Sequence, residues 1–347
     1  MPLLEQLIGT QTGLVLAFAA TAAVVVVAGI RLSIYGDALG DRTGMGRGLV
    51  GLVFLAAVTS LPELVVSLTS VIQCIDPQQG ADLAVGNMLG SNVFNLLILA
   101  LVALLFPRKF IPGKLAEPHT GSIVYGLIML AIFALAFGIS GMDGWLIPGL
   151  QCSWGTLLLP VAYALILRYE HRQQKKEMAE NHLPSEQELA HLPAPRFYSV
   201  LAGLCGLIIG GGIILSILGS RMALPPEQGG FGLEASLIGT VFLAISTSLP
   251  ELVISIASVR MGFLDMAVGN VLGSNMFNLL IVFAADTALR GGNLLSHASS
   301  KHWTSVGLIL VLTLLGGLLL RTRNRTATTT VAVAMVSIYI AALAFLV

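Results

Sequence analysis

Long apolar runs follow one another along this chain, broken by short polar connections. A helix needs about 20 apolar residues to cross roughly 30 Å of hydrocarbon. Ten windows meet that length: 12–30, 48–74, 80–105, 120–139, 145–167, 198–218, 233–259, 263–284, 303–320 and 326–347. The fifth is the most interrupted, by Pro148, Gln151, Ser153 and Pro160. The pattern therefore predicts an all-α polytopic membrane protein of ten transmembrane helices. The first window, preceded by Glu5 and lacking a basic flank and a small-residue cleavage pattern, reads as a span and not as a signal peptide.

The runs are related in pairs. Residues 51–71 match 239–259 at fifteen of 21 positions, and 84–98 match 267–281 at thirteen of 15. Each half carries five spans, an odd number, so the second copy enters the membrane inverted with respect to the first. Inverted repeats with interrupted helices at corresponding positions point to a transport site near the midplane. Between the halves lies a long polar stretch, 168–197, in which Arg172, Lys175 and Lys176 mix with Glu170, Glu177, Glu180, Glu186 and Glu188 before Pro193-Ala194-Pro195. It is expected to be a solvated, partly helical cytoplasmic linker joining a first repeat, 1–167, to a second, 198–347.

Composition excludes an ordinary soluble domain: 56% of residues are hydrophobic, 10% are charged, and mean hydropathy is +0.89. The 18 basic and 18 acidic residues cancel and form no basic face, so no nucleic-acid partner is expected. Their placement gives orientation. With the N-terminus outside, Arg31, Arg42, Arg47, Arg108, Lys109, Lys114, Arg168, Arg172, Lys175, Lys176, Arg196, Arg260, Arg321, Arg323 and Arg325 lie on the cytoplasmic side, and only Arg221, Arg290 and Lys301 outside. That asymmetry predicts N-out, C-out topology in the cytoplasmic membrane. Cys74, Cys152 and Cys205 are scattered and read as packing residues. His119, His171, His182, His191, His297 and His302 fall in connections or at span ends, so no imidazole relay through the membrane is expected.

The polar positions inside the spans carry the chemistry. Thr59-Ser60-Leu61-Pro62-Glu63 recurs as Thr247-Ser248-Leu249-Pro250-Glu251. A charge at the bilayer centre costs about 2.5–3.5 kcal/mol on insertion scales, so a carboxylate placed there twice is a functional-site candidate. Thr59, Glu63 and Ser67 share one helical face, as do Thr247, Glu251 and Ser255. Pro62 and Pro250 break the helical ladder and free the carbonyls of Val58 and Ser246, which a bound cation would satisfy. Asn87, Ser91 and Asn95 line a face of the third span, and Asn270, Ser274 and Asn278 one of the eighth. Gly86, Gly90, Gly269 and Gly273 beside them allow close helix approach. Carboxylates, hydroxyls, amide oxygens and loose carbonyls, with no thiolate or imidazole, suit hard cations such as Ca2+ or Na+. Asn92 and Asn275 read equally well as packing residues. Asp82 and Asp265, which also align, are expected to cap the helices they begin.

The pairing of Thr-Ser-Leu-Pro-Glu with Gly-Asn-x-Leu-Gly-Ser-Asn-x-Phe-Asn resembles the two alpha-repeats of the sodium/calcium exchanger family, within the calcium/cation antiporter superfamily, in its prokaryotic-type ten-span form. The resemblance implies a central cluster of spans two, three, seven and eight. It implies Ca2+ held by Glu63 and Glu251 with carbonyls of Thr59 and Thr247. It further implies Na+ sites using the same glutamates with Ser60, Ser248, Ser91, Ser274, Asn95 and Asn278 and the carbonyls of Ala56 and Ala244. Some family members carry Asp at the place of Asn278; with Asn at both 95 and 278, only two central carboxylates remain. They balance one Ca2+ or two monovalent ions, and a third Na+ would be unbalanced.

The function expected is secondary antiport of Ca2+ against Na+ by alternating access, spans one and six sliding past the central cluster. Gly210-Gly211-Gly212 fits either a sliding surface or close static packing. The alternative is a Ca2+/H+ antiporter using the same glutamates. An intramembrane hydrolase lacks an activating base and a Gly-x-Ser-x-Gly elbow, and a passive channel would show no saturable counter-transport. No catalytic residue, no cofactor beyond the transported ions and no obligate protein partner are expected; the partners are inorganic cations and the lipid bilayer.

Overall fold

The computed structural model describes residues 10–74, 76–110, 116–141, 147, 152–181, 189, 192–232, 246–289 and 293–346. Each of the ten windows contains a helix among the described residues. The first, α1 (Gln11–Thr43), starts where the Thr10 hydroxyl accepts the Gly13 N–H at 3.1 Å. It stops at Gly44, whose φ of +68° is left-handed backbone that glycine adopts without strain. The helix runs well beyond the predicted window, so Arg31 and Arg42 sit on it and not in a loop. Polar pairing extends it. The Arg42 guanidinium donates to the carbonyls of Leu189 and Leu192 and lies 4.2 Å over the Phe197 ring, while Asp37 accepts from Arg47.

The next helix, α2 (Arg47–Gln73), contains a π-helical stretch, Val50–Leu55, ahead of Pro62. Asp76 caps α3 (Pro77–Leu105) by accepting the Gln78 N–H at 3.0 Å, and Pro77 takes the first turn, where its missing N–H removes no bond. The order continues with α4 (Ala116–Gly138), α5 (Trp154–Asn181), α6 (Ala194–Ala223), α7 (Leu249–Arg260), α8 (Leu264–Ala288), α9 (His302–Arg321) and α10 (Arg325–Leu346). Eight of these are long and apolar enough to cross a membrane. The other two are α5, whose second half is the charged start of the linker, and α7, whose 12 residues begin after a break at Ser248; residues 233–245 lie outside the described part.

Burial orders the helices into layers. Over their most apolar stretches, 78% of α3 and 83% of α8 are buried, against 28% of α1, 33% of α6 and 22% of α10. The centre is thus α3 crossed with α8, and large apolar side chains such as Leu16, Val27, Leu135, Leu207, Leu318 and Ile340 face outward, as lipid contact requires. Neighbours respect the repeat. α3 packs on α9 and α10 as α8 packs on α4 and α5, α2 meets α6 as α7 meets α1, and α1 lies along α6. This is the pattern of two inverted five-helix units.

Glycine decides how close the layers come. A Cβ on Gly273 would fall 2.1 Å from the Leu52 carbonyl oxygen, one on Gly269 2.3 Å from that of Gly48, and one on Gly51 2.2 Å from that of Met266. α8 therefore meets the π-helical stretch of α2 backbone to backbone. Gly86 and Gly90 have no such approach among the described residues; the positions that the repeat would set against them, 236 and 240, the counterparts of Gly48 and Leu52, lie outside the described part.

One expectation is corrected. Asp76 caps α3, and Phe263 stands at the cap position of α8, so Asp82 and Asp265 are not caps. Both lie inside their helices and turn to histidines of the opposite repeat. Asp82 accepts from the Ser299 N–H at 2.5 Å and sits 3.2 Å from His302 Nε2, and Asp265 sits 3.4 Å from His119 Nε2. A side chain facing outward from a helix's early turns is free to bind a neighbouring helix instead of its own N–H groups. The two pairs are themselves repeat-related, one at the start of α3 and α9, the other at the start of α8 and α4.

Candidate functional site

The polar faces of α2, α3, α7 and α8 converge on one buried cluster. Thr59, Ser60, Glu63 and Ser67 from α2, Ser248, Glu251 and Ser255 from the α7 region, and Asn92, Asn95, Asn270, Ser274 and Asn278 from α3 and α8 are all fully buried; Ser91 is 3% exposed. The local reasons differ between repeats. α2 runs through Pro62 without interruption, whereas the second copy breaks at Ser248, with Pro250 in the first turn of α7. Glu251 thus stands at a helix N-terminus, where the peptide dipoles favour a negative group, while Glu63 is mid-helix.

The glutamates are held crosswise. Ser60 Oγ donates to Glu251 Oε1 at 3.3 Å, and Ser248 Oγ donates to Glu63 Oε1 at 3.5 Å, so each repeat orients the carboxylate of the other. Ser248 also lies 3.3 Å from Ser91. Thr59 Oγ1 reaches the Ala56 carbonyl at 3.3 Å, Asn270 Oδ1 at 3.4 Å and Ser274 Oγ at 3.3 Å. A further layer fixes the helices. Asn87 Nδ2 donates to Ser67 Oγ at 3.0 Å and to the Glu63 carbonyl at 3.3 Å, and Asn270 Nδ2 donates to Ser255 Oγ at 3.2 Å.

What these bonds leave over defines the chemistry. Glu63 Oε2, Glu251 Oε2, Asn278 Oδ1 and both amide atoms of Asn95 are buried without a hydrogen-bond partner. Removing an ion from water costs several kcal/mol even after relaxation, and the ion pairs among the described residues, Arg47 with Asp37 and the two His–Asp pairs, all lie elsewhere. Two carboxylates with free oxygens and no basic partner suit cations. Since no group of three or more His, Cys, Asp or Glu gathers among the described residues, neutral oxygens must complete the shell. That is a donor set for a hard cation of low charge.

Of the site residues expected from sequence, hydrogen bonds link Ser60 to Glu251, Ser248 to Glu63 and Ser91, and Thr59 to Ser274 and the carbonyl of Ala56, with Pro62 and Pro250 flanking; Asn95 and Asn278 are buried one helical turn beyond Ser91 and Ser274, and neither is bonded to a glutamate. Thr247 is less buried, one residue before the break. Ala244 lies outside the described residues. Sequence reasoning did not find the crosswise serine contacts, since a local helical face says nothing of the opposite repeat. It also missed Asp286, fully buried at the end of α8, which accepts from Ser153 N–H at 2.8 Å, Leu294 N–H at 2.6 Å and the Thr156 hydroxyl.

Residues 13–169 and 202–347 match the model of the sodium/calcium exchanger protein family. The inner membrane protein YrbG of Escherichia coli is 30% identical over 268 residues, 76% of each chain. The sodium/calcium exchanger MaX1 of Methanosarcina acetivorans is 24% identical over 276 residues, 70% of this chain and 74% of the relative. Among solved structures, the sodium-calcium exchanger NCX_Mj soaked with 2.5 mM Na+ and 1 mM Sr2+ superposes with a TM-score of 0.67 at 20% identity, covering 95% of this chain and 97% of that one.

Proposed function

The chain belongs to the sodium/calcium exchanger family, and from that premise we propose that it moves Ca2+ across the cytoplasmic membrane in exchange for Na+. The observation that carries this reading is the crosswise pair of buried glutamates, each held by one oxygen and leaving the other free. Ca2+ takes six to eight oxygens. Glu63, Glu251, the carbonyls of Thr59 and Thr247, and nearby hydroxyls and amides supply them. Na+ uses the same glutamates with Ser60, Ser248, Ser91, Ser274, Asn95, Asn278 and the carbonyls of Ala56 and Ala244. Because the carboxylates are shared, Ca2+ and Na+ exclude one another, and exchange follows from competition.

Alternating access moves α1 and α6 as a pair over the four-helix centre. Their mutual packing and the Arg42 contacts, which tie α1 to Phe197 of α6, support a single moving unit. The repeats comprise 1–167 and 198–347 joined by a cytoplasmic linker, and the termini face outside. With amides at both 95 and 278, two glutamates balance one Ca2+ against two Na+, an electroneutral exchange.

A second reading follows from the same amides: two H+ replace two Na+ on the glutamates. Ca2+ uptake into proteoliposomes driven separately by outward Na+, K+ and H+ gradients separates the two. Na+-driven uptake that is absent in Glu63→Gln and Glu251→Gln is expected. Uptake driven by a pH gradient in Na+-free medium would replace Na+ with H+. Wild-type uptake by either Gln variant would refute the site.

A further inference from the structure

We propose that Asn92 is the residue that presents Asn278 to the transported cation oxygen-first, and so sets the affinity of the monovalent-ion site. This rests on the exchange reading above and adds to it a group outside the ligand set.

An asparagine amide has two chemically opposite ends, an oxygen that accepts and an NH2 that only donates. As a cation ligand it works in one orientation alone. On α8, Asn278 shares its helical face with Asn270 and Ser274, both of which meet Thr59 of α2. Its NH2 is committed: Asn278 Nδ2 donates to Asn92 Oδ1 at 3.1 Å, with both side chains fully buried. Because oxygen and nitrogen lie on opposite sides of the amide carbon, anchoring the NH2 toward α3 directs Oδ1 away from it. That oxygen has no partner. Asn92 is held in turn, since its own Nδ2 donates to the Asn275 backbone carbonyl at 3.2 Å, leaving only its oxygen to face Asn278. The chain Asn278, Asn92, Asn275 carbonyl thus has one hydrogen-bond direction, and a reversed Asn278 would set oxygen against oxygen.

The repeat-related bond is not made. Asn275 corresponds to Asn92 and Asn95 to Asn278, yet Asn275 Oδ1 and both amide atoms of Asn95 are buried and unpartnered. Asn92 and Asn275 both line a small cavity with Ser122, Gly126 and Thr313, so the difference between them lies in the hydrogen bond to the ligand amide and not in their surroundings. Asn278 is therefore the preset oxygen of the pair and Asn95 the unset one. A packing role alone would treat the two asparagines alike.

The test uses purified full-length protein in detergent, with the thermal midpoint followed against Na+ and, separately, Ca2+. For Asn92→Leu the half-saturating Na+ concentration is expected to rise roughly tenfold, the scale of one buried hydrogen bond, with that for Ca2+ changing less. Asn275→Leu, which removes no bond to a ligand amide, should shift Na+ far less. In an Asn278→Asp background both ends of the side chain are oxygens, so Asn92→Leu should no longer alter Na+ affinity. Asn92→Ala substitutes where the Leu variant fails to fold. Equal shifts for Na+ and Ca2+, an equal effect of Asn275→Leu, or an undiminished effect in the Asp background would each overturn the role of Asn92. A wild-type midpoint indifferent to both cations would instead refute the cation site itself.

Discussion

Replacing Gly212 with alanine adds one methyl where α6 crosses both proline turns. The new Cβ would stand 2.5 Å from Pro62 Cγ, 3.0 Å from Pro62 Cβ and 3.3 Å from Pro250 Cγ. Carbon atoms in favourable contact are about 3.5–4.0 Å apart, so the interface must open by about 1 Å. A proline ring, closed onto its own nitrogen, has no rotamer that clears the space. Overpacking of this kind costs about 1–3 kcal/mol, and the gain from alanine's helix propensity offsets at most ~1 kcal/mol of it. Gly210 is the matched control, because a Cβ there meets nothing within 4 Å; only the helix gain remains. On the proposed movement of α1 and α6 past the prolines, the clash recurs at each turnover, and about 1.4 kcal/mol at the barrier is a tenfold rate. Initial rates of Na+-driven Ca2+ uptake into proteoliposomes should fall roughly tenfold for Gly212→Ala. Gly210→Ala should keep the wild-type rate. Equal rates for the two variants would refute the argument that this crossing gates movement.

Two further substitutions probe the frame around the site. Gly273→Ala would bring a Cβ to 2.1 Å from the Leu52 carbonyl oxygen and 2.8 Å from Ala56 Cβ, separating α8 from the π-helical stretch of α2. Stability in detergent should drop by about 3 kcal/mol, and a variant melting with the wild type would contradict the close backbone contact. Asp286→Ala leaves the N–H groups of Ser153 and Leu294 unpaired, at about 1–3 kcal/mol each, while the Thr156 hydroxyl keeps the Ser153 carbonyl as acceptor. Its thermal midpoint should fall sharply while the response to Ca2+ persists; an unaltered midpoint would show that these groups find other partners.

The sequence also held a signal for the two His–Asp pairs that single residues concealed. Asp82 and Asp265 occupy equivalent positions, and so do His119 and His302 at the same spacing between repeats. Extending the repeat comparison from the third and eighth spans to the fourth and ninth would have found both histidines. Each of these residues viewed alone is an ordinary polar group at a span end. Their pairing joins residues 220 positions apart in one case, and helical periodicity carries no information at that range.

The glycine run shows the same boundary in a smaller compass. Gly210, Gly211 and Gly212 look identical in sequence, yet added Cβ atoms would meet nothing, Val25 at 2.5 Å, and Pro62 at 2.5 Å respectively. Successive helical residues point about 100° apart, so one faces open space, one faces α1 and one faces the proline turns.

By itself the sequence determined the ten apolar spans, their inverted repetition, and the polar types placed mid-membrane, because each follows from run length, odd span number and residue chemistry. Tertiary structure alone decided which atoms those residues commit to one another. It crossed Ser60 with Glu251 and Ser248 with Glu63, interrupted the helix at Ser248 but not in α2, and turned the Asn278 amide through Asn92. A helical pattern fixes the face on which a side chain lies. Its free oxygen is fixed only when the opposing helices have taken every other donor and acceptor.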